Sequence, residues 1–342
     1  MKHLRWFVAV LMFASPALAA AEQLFDLKPV VPGVWAAIAK EQFKVNCNAA
    51  VIELDDGLLV VDTHSKPSAA RALIEQIKTV SSKPVRFVVD THFHWDHYQG
   101  NQAYPTVWPQ GVEIISSEET RESIAHRGIP RVKHEIREVP KEIEQLKADL
   151  AKATEAKEKA EIQENLRQAE SYLAELTTKP MILPTLTFDR SLIIHRQSRN
   201  VYILWLGKAH TDGDVFVYLP KEKFLATGDA LHTWTPYMGD SYPYDWIKTL
   251  EAAEKLDFDY ALGGHGDVLR GKGQFQTWEQ YFRDLLSETA SAYSEGASMA
   301  DTVKRVSAVL VPKYADKMPP TFAKDVVGNI QKAYRVVSGA TE

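Results

Sequence analysis

The sequence contains one cysteine, Cys47, among 342 residues, so no disulfide can form within the chain. A small buried side chain is the favoured role for Cys47, rather than a reactive thiol. After the first residues, no segment approaches the roughly 18 consecutive apolar residues that a membrane-spanning helix needs. No serine lies in the glycine-flanked elbow motif that presents a nucleophile in many hydrolases. These absences exclude an internal disulfide and argue against membrane spans and against thiol or serine chemistry.

The sequence also has only a small excess of charge of one sign. The chain has 40 lysines and arginines against 45 aspartates and glutamates, a formal net charge of −5 at pH 7, and the charges form no long like-charge block. Nucleic acid and anionic lipid attract proteins through concentrated positive charge, and this sequence has no such block. We therefore expect a small-molecule substrate, with no nucleic-acid partner and no membrane partner for the mature chain.

The first 21 residues have the composition of a secretory signal peptide. Lys2 and Arg5 form a basic start, and the apolar stretch Trp6–Ala14 is too short to span a bilayer. Ala17-Leu18-Ala19 then provides a cleavage site of small residues. This pattern predicts export, most simply to a bacterial periplasm; an ordinary N-terminal helix is the alternative.

Short apolar strands alternate with helical patterns along most of the remaining chain. A buried strand at Val85–Asp90 is one example, and a helix at Trp246–Leu256 followed by a strand at Tyr260–Leu262 is another. Beyond Gly271 the pattern is helical only. The sequence therefore predicts one α/β domain over residues 22–270 and a helical C-terminal extension over residues 271–342.

A segment from about Arg131 to Lys179 interrupts the α/β pattern. Apolar residues recur there at helical spacing in two runs, Val139, Ile143, Leu146 and Leu150, then Ile162, Leu166, Ala169, Leu173 and Leu176. Glutamate, lysine, glutamine and alanine fill most of the positions between them. This predicts a helical insertion, either a hairpin or a helix bent near Thr154, with coiled-coil-like stripes. We expect the two helices to pack on their own domain; a homodimer contact and a lid over the site are the alternatives.

Potential metal ligands are concentrated in four short fragments. Residues 92–97 read His-Phe-His-Trp-Asp-His, and the others are residues 207–214, 228–229 and 263–266. From these fragments we take five histidines and two of the four aspartates as candidate ligands, enough for two adjacent zinc ions. Imidazole and carboxylate suit zinc, although other divalent metals also accept them. The ligands are His92, His94, Asp96, His97, His210, Asp229 and His265.

This constellation resembles that of the metallo-β-lactamase superfamily, over about Leu27 to Val268. The resemblance implies a four-layer αβ/βα sandwich with two metals at one edge between the sheets. It also implies that Asp229 bridges two sets of three ligands, His92, His94 and His210 for the first metal and Asp96, His97 and His265 for the second. Many β-lactamases of this superfamily have cysteine in place of Asp229, whereas hydrolases resembling glyoxalase II have aspartate. The motif therefore defines the chemistry better than the substrate.

Two metals held close together can share a hydroxide that is nucleophilic at neutral pH and attacks a substrate carbonyl. Asp96 is expected to orient that hydroxide and to return a proton to the leaving group. Asp62 and Asp214 are candidates for fixing the histidine tautomers. Carboxylates that merely hold turns at strand ends are an equally good interpretation of these two residues.

Several residues close to the ligands in sequence are candidates for contacting the substrate. The candidates are Trp95, His232 and Tyr237, with Trp234 and Tyr242 as further aromatic residues. Packing against neighbouring loops would explain each aromatic side chain nearly as well. His232 lies three residues after Asp229, where cysteine-containing β-lactamases of the superfamily often have a lysine that anchors the substrate; a histidine could replace it only if cationic or water-bridged. His64 is a weaker candidate, and the remaining histidines are expected on the surface or in the core, His126, His134 and His195.

The favoured function is an exported dinuclear zinc hydrolase that opens a β-lactam amide and so confers antibiotic resistance. Export favours β-lactams, because the periplasm is where a β-lactamase meets its drug. A lactonase or a glyoxalase II-like thioesterase is the alternative within the same class. A metal-bound binding or sensing module without turnover is the alternative from another class, and the complete ligand set argues against it.

Overall fold

The computed structural model of the chain describes residues 23–43, 47–109, 111–178 and 180–340. The predicted signal peptide, residues 1–21, lies outside the described residues. Within the described part, no helix is long and apolar enough to cross a bilayer.

The first sheet has seven strands, which lie across the sheet in the order in which they occur in the chain. They are β1 (Phe25–Val31), β2 (Val34–Ala39), β3 (Ala49–Glu53), β4 (Leu58–Val61), β5 (Val85–Val89), β6 (Glu113–Ser117) and β7 (Leu186–Phe188). The first four pair antiparallel, and β4 to β7 run parallel. Successive side chains on a strand point to opposite faces, so in β4 Val60 packs under helices and Val61 packs between the sheets.

The second sheet has six strands, in the order β13-β12-β11-β10-β9-β8. They are β8 (Ser191–His195), β9 (Asn200–Trp205), β10 (Val215–Leu219), β11 (Phe224–Gly228), β12 (Tyr260–Gly263) and β13 (Leu269–Arg270). Only β11 and β12 run parallel, and the other neighbours are antiparallel. The inner faces of the two sheets share one apolar core, to which Val61 and Val89 contribute from the first sheet and Ile203 and Val217 from the second.

Helices cover the outer face of each sheet. The first sheet packs against α1 (Pro67–Ile77) and α3 (Ala103–Val107), while the four-residue helix α2 (Trp95–Tyr98) follows β5. The second sheet packs against four helices, α7 (Pro243–Glu254), α8 (Gly273–Ser294), α9 (Met299–Tyr314) and α10 (Phe322–Val337). The layers therefore run helix, sheet, sheet, helix, and the predicted αβ/βα sandwich with a helical C-terminal extension is confirmed.

The helices outside the second sheet also hold the loop that follows β11. The Trp246 indole of α7 donates to the Ala230 carbonyl at 2.9 Å, and the Asn329 side chain of α10 donates to the Pro236 carbonyl at 2.9 Å. The Trp278 ring of α8 packs edge-on against His232, with ring centroids 4.9 Å apart. The extension is therefore more than a cover on the sheet, because α8 and α10 contact His232 and Pro236 in this loop.

The insertion forms a helical hairpin. Helix α4 (Glu118–Ser123) and a π-helical turn (Ile124–Gly128) lead into α5 (Ile129–Lys152), and α6 (Ala156–Thr178) returns along it. The helices begin before the predicted boundary at Arg131, because the π-helical turn departs from the 3.6-residue spacing that the prediction relied on. Pro130 lies in the first turn of α5, where its missing N–H costs no hydrogen bond.

The hairpin packs on its own domain. The Glu175 carboxylate accepts hydrogen bonds from the Ser68 backbone N–H at 2.7 Å and from its hydroxyl at 2.6 Å, and so caps the first turn of α1. The Tyr172 hydroxyl donates to Glu135 at 2.7 Å, which ties α6 to α5. These contacts agree with the favoured interpretation of the two apolar stripes as an intramolecular helix pair.

Candidate metal centre

The predicted ligands follow the ends of strands that meet at one edge of the sandwich. His92 lies three residues beyond β5, and Asp96 and His97 lie in the first turn of α2. Asp229 comes directly after β11, and His265 follows β12, which runs parallel to β11. Loops at the carboxyl ends of neighbouring parallel strands share one rim, so these side chains converge there.

All seven predicted ligands come together. Their side-chain nitrogen and oxygen atoms form three overlapping groups, each within 4.8 Å, namely His92, His94 and His210; His92, His97 and Asp229; and Asp96, His97 and His265. Asp229 is central, because its Oδ2 lies 3.6 Å from His210 Nε2 and 3.2 Å from His265 Nε2. This arrangement brings two sets of candidate ligands together, with Asp229 close to a histidine of each set.

Unpartnered buried atoms show that the residues fit a metal. Among the described residues, His92 Nε2, His97 Nε2 and Asp229 Oδ1 are buried and have no hydrogen-bond partner. Leaving a buried polar atom unsatisfied costs about 1–3 kcal/mol, and a bound cation would remove that cost. A Cβ on Gly264 would lie 2.2 Å from Asp229 Oδ1 and 2.7 Å from His97 Cε1, so only glycine leaves room beside these two ligands.

The electrostatics hold three of the seven candidate ligands, His92, His210 and Asp229, in their metal-binding forms. Burial lowers the pKa of His92 and of His210 well below the ordinary value, and neighbouring histidines lower it further. Burial opposes ionisation of Asp229, but His265 and His97 hold the pKa of that carboxyl well below its usual range. Neutral imidazole and ionised carboxylate are the forms that bind divalent metals.

Asp62 orients His97. Its Oδ2 accepts a hydrogen bond from His97 Nδ1 at 2.8 Å, which turns Nε2 of the ring toward the ligand cluster. The Thr91 backbone N–H and hydroxyl also donate to the Asp62 carboxylate, at 2.9 and 3.0 Å. Asp62 occupies the left-handed region at φ 65°, a conformation that costs free energy in a non-glycine residue. The predicted role in fixing a histidine tautomer therefore suits Asp62.

Among the described residues, the Asp214 carboxylate forms no hydrogen bond with a histidine ring. Its carboxylate accepts from the Thr211 backbone N–H at 2.7 Å and from the Thr211 hydroxyl at 2.8 Å. These bonds fix the turn directly after His210. Of the two interpretations of Asp214, a turn carboxylate is the one that the structure supports.

The hydrogen bond that orients a second candidate ligand, His94, was not predicted from the sequence. His94 Nε2 donates to Asp240 Oδ2 at 2.8 Å, and this leaves His94 Nδ1 facing His210 Nε2 at 2.8 Å. The other oxygen of Asp240 accepts from Arg127, which lies in the π-helical turn. The His94 hydrogen bond, followed by that of Arg127, lowers the pKa of Asp240, so the carboxylate stays ionised. The segment that precedes the hairpin is thus tied to a predicted metal ligand.

Replacing Asp240 with alanine is expected to weaken zinc binding by about 10- to 100-fold, because the His94 ring loses the acceptor that orients it. Zinc affinity would be measured by competition with a chromophoric chelator. Asp245→Ala is the matched control, since Asp245 is an exposed aspartate that pairs with Lys248. Equal zinc affinity in Asp240→Ala and in the control would show that His94 needs no such partner.

A cleft of about 540 Å³ opens beside the ligands. The predicted substrate contacts Trp95, His232 and Tyr237 all line it. Tyr237 is 59% exposed, so its ring is available to a bound molecule. Trp234 also lines the cleft and stacks on the His265 ring, with centroids 4.5 Å apart. Tyr242 lies outside this lining and packs under the Lys208 ammonium instead.

His232 is not a substitute for an anchoring lysine. Its Nδ1 accepts a hydrogen bond from the Trp234 backbone N–H at 3.1 Å, and burial lowers its pKa to about 3. A neutral histidine supplies no positive charge to an anionic group. The positive side chains that line the cleft are Arg127 and Arg131, near the start of the hairpin. Sequence reasoning missed both, because no local motif connects them to ligands more than 30 residues away.

The other histidines and Cys47 lie outside the three ligand groups. His64 is buried and contacts the Cys47 carbonyl through Nδ1 at 2.9 Å. The Cys47 thiol donates to the Asp96 carbonyl, and burial raises its pKa well above the ordinary value, as expected for a structural residue. His126 and His195 are exposed and contact Glu122 and Asn200. His134 lies on an exposed face of α5.

Shortening the hairpin should leave the metal ligands assembled. Replacing residues 144–166 with a short glycine-serine linker keeps the residues that contact the domain, Arg131, Glu135, Tyr172 and Glu175. We expect unchanged zinc content by elemental analysis and an unchanged oligomeric state by light scattering. A folded, shortened protein without zinc would show that the outer hairpin supports the site, and a change from dimer to monomer would identify it as a dimer contact.

Comparison with known proteins agrees with this geometry. The family model of the metallo-β-lactamase superfamily matches residues 43–265. A linear primary-alkylsulfatase of Pseudomonas sp. (strain ATCC 19151) is 22% identical over 301 residues, 84% of this chain and 54% of that protein. A type 2 metallo-β-lactamase of Elizabethkingia meningoseptica is 28% identical over 128 residues, 36% of this chain and 48% of that protein. The chain thus spans about half the length of these curated relatives.

Solved structures show the same fold. A metallo-β-lactamase from Pontibacter korlensis aligns with a TM-score of 0.55 and 16% identity, covering 76% of this chain and 99% of its own. The metallo-β-lactamase FIM-1 from Pseudomonas aeruginosa, in its mono-zinc form, aligns with a TM-score of 0.52 and 18% identity, covering 76% of this chain and 95% of its own. The matched residues 43–265 contain all seven ligands, and the chain therefore belongs to the metallo-β-lactamase superfamily.

Proposed function

We propose that the protein is a dinuclear zinc hydrolase that opens a carbonyl substrate, with a β-lactam amide as the first substrate to test. The observation that carries this proposal is the placement of Asp229 between two complete ligand sets, with Oδ2 3.6 Å from His210 Nε2 and 3.2 Å from His265 Nε2. A carboxylate in this position can serve two cations at once. A one-metal site would not need it there.

The ligand groups assign the residues to the metals. His92, His94 and His210 would hold the first ion, and Asp96, His97 and His265 the second, with Asp229 shared between them. When bound, such ions polarise a substrate carbonyl and lower the pKa of water to about 7. His97 and His94 are each held by a carboxylate, Asp62 and Asp240, so the protein fixes both rings before any metal arrives.

Asp96 is the proposed catalytic residue. Its Oδ2 lies 3.6 Å from His265 Nε2 and 3.7 Å from His97 Nε2, and the side chain also lines the cleft. It therefore lies between the ligands and the space for the substrate, where it could accept a proton and return it to the leaving group. Among the described residues, no serine or cysteine lines the cleft, and water is the proposed nucleophile.

The cleft favours a compact organic substrate. Its volume of about 540 Å³ falls within the usual range for small-molecule pockets, and aromatic side chains form much of its wall. Export, which the N-terminal sequence predicts, would place the enzyme where β-lactams act. Lactones and thioesters present the same carbonyl chemistry and are the alternatives within this class.

A sulfate ester is a second candidate substrate. The alkylsulfatase relative aligns with 84% of this chain, whereas the β-lactamase relative aligns with 36%. The longer alignment must extend beyond the family match at residues 43–265. Hydrolysis of an alkyl sulfate would use the same ligands with sulfur, rather than carbon, at the reacting centre.

A hydrolysis screen of the zinc-loaded protein tests the proposal. The substrates are a carbapenem, a cephalosporin, a homoserine lactone, a glutathione thioester and a linear alkyl sulfate, each with and without a chelator. We expect chelator-sensitive turnover of at least one carbonyl substrate and none in His97→Ala. Turnover of the sulfate alone would select the second candidate. No turnover of any substrate by a protein holding two zinc ions would favour the binding-module alternative.

A further inference from the structure

Two arginines form part of the cleft wall, and neither belongs to the proposed metal centre. Arg127 lies in the π-helical turn and Arg131 lies one turn later, in α5. Both line the same cleft as the ligands Asp96, Asp229 and His265. The start of the hairpin thus contributes positive charge to a cleft that candidate metal ligands also line.

Aromatic rings hold both guanidinium groups in place. The Arg127 guanidinium lies 4.2 Å from the centroid of the Phe93 ring, and that of Arg131 lies 5.1 Å from the Trp95 ring. Cation–π stacking of this kind fixes the plane of a guanidinium and leaves its N–H edge available. The side chains are about half exposed, 52% for Arg127 and 44% for Arg131, so a ligand in the cleft can reach them.

The two arginines each pair with one carboxylate but differ in the donor that they use. Arg127 donates through Nη2 to Asp240, which also accepts from His94. Among the described residues, Arg131 donates through Nε to Glu135 at 2.8 Å, and neither of its Nη groups has a partner. A guanidinium has five N–H donors, and the two Nη groups can bind an anion in a bidentate manner.

Aromatic side chains form much of the cleft wall beside the two arginines. Phe93, Trp95, Tyr98, Trp234 and Tyr237 all line the cleft. Trp234 is 39% exposed and Tyr237 is 59% exposed, so both rings present apolar surface to the cleft. A ligand that matches this wall has an aromatic or aliphatic body together with an anionic group.

We propose that Arg131, assisted by Arg127, binds the anionic group of an amphiphilic substrate, a carboxylate or a sulfate, whose apolar body lies against Trp234 and Tyr237. This deepens the proposed function by naming the class of substrate, and it rests on that function. The helical hairpin then acts as the specificity element of the site, because it supplies Arg131, whose two Nη groups have no hydrogen-bond partner among the described residues.

Equilibrium binding measured by calorimetry on the zinc-loaded protein tests this proposal without any need for turnover. The probes are 4-phenylbutyrate, 3-phenylpropyl sulfate and the uncharged 4-phenylbutyramide. Arg131→Gln should bind the anionic probes about tenfold more weakly and the amide unchanged, since only the anions lose a charge-assisted hydrogen bond. Arg131→Lys should give an intermediate loss, and Arg137→Gln, an exposed arginine on the same helix, should behave as the wild type.

The anionic probe whose affinity falls further in Arg131→Gln identifies the preferred group, carboxylate or sulfate. The proposal is overturned if Arg131→Gln binds both anions as tightly as the wild type, if it weakens the amide equally, or if the wild type binds neither anion at millimolar concentration. These outcomes are separable from failure of the proposed function. If Arg131 binds anions but the protein hydrolyses no substrate, only the hydrolase proposal is refuted. If the protein hydrolyses a substrate but Arg131→Gln does not change anion binding, only this inference is refuted.

Discussion

Replacing His92 or His97 with alanine is expected to lower hydrolytic activity about 100-fold or more and to reduce the zinc content. Both side chains are fully buried, and each has an Nε2 atom without a hydrogen-bond partner among the described residues. His97 belongs to two of the ligand groups, so its loss weakens both. It also removes the ring that donates to the buried Asp62 carboxylate, which would add a loss of stability.

The measurement is a turnover assay paired with elemental analysis of the same sample. His126→Ala is the matched control, because His126 is an exposed histidine on the π-helical turn that contacts only Glu122 among the described residues. Near-normal rates in both ligand variants would show that the ligand assignment is wrong. A fully active wild type with one zinc ion or none would disprove the two-metal site.

Replacing Asp229 with alanine is expected to release the second metal first. That metal would retain Asp96, His97 and His265, while the first would retain the three histidines of the other group. The second set includes two side chains, His97 and His265, that lie within 3.5 Å of the Asp229 carboxylate, so its geometry depends on Asp229 more strongly. Zinc titration with calorimetry should show one strong site in the variant and two in the wild type.

The Asp229→Cys variant distinguishes a metal-bridging role of Asp229 from simple charge compensation. Asp229→Cys should keep two zinc ions, because a thiolate is also a zinc ligand, but should lose activity on exposure to peroxide. The wild type should resist the same treatment, since its one thiol, Cys47, is buried. Asp257→Ala, at an exposed aspartate paired with Lys223, controls for the loss of a carboxylate. Full zinc occupancy with unchanged turnover in Asp229→Ala would remove the bridging assignment.

The structure also gives the two helical additions a role at the site. The C-terminal helices contact the loop after Asp229 through Trp278 and Asn329. The hairpin contributes Arg131 to the cleft, and the turn before it contributes Arg127. The metal ligands lie on the strand ends of the sandwich, while much of the wall around them comes from these additions. Proteins with the same metal ligands can differ in substrate because the residues that form the cleft wall differ.

Local sequence determined the ligand set and the layers of the fold. His92 to His97 follow one strand directly, so the backbone alone keeps four ligands together whatever packs around them. The periodicity of apolar residues identified most strands of both sheets and the helices of the extension, because burial on one or two faces is a local pattern. It missed the two edge strands, β1 and β13. The hairpin was predicted for the same reason, except for its start, where a π-helical turn removes the regular spacing.

Tertiary structure alone decided which side chains complete the site. Arg127 and Asp240 are 113 residues apart and meet only because the segment before the hairpin folds against the loop after β11. Burial of His232 against Trp278 lowers its pKa to about 3, and no pattern around position 232 reveals that neighbour. Asp62 and Asp214 look alike in sequence, yet one holds a histidine ring and the other a turn. Partners of this kind depend on contacts between distant segments, whose geometry is set by packing of the whole domain rather than by residues nearby in the chain.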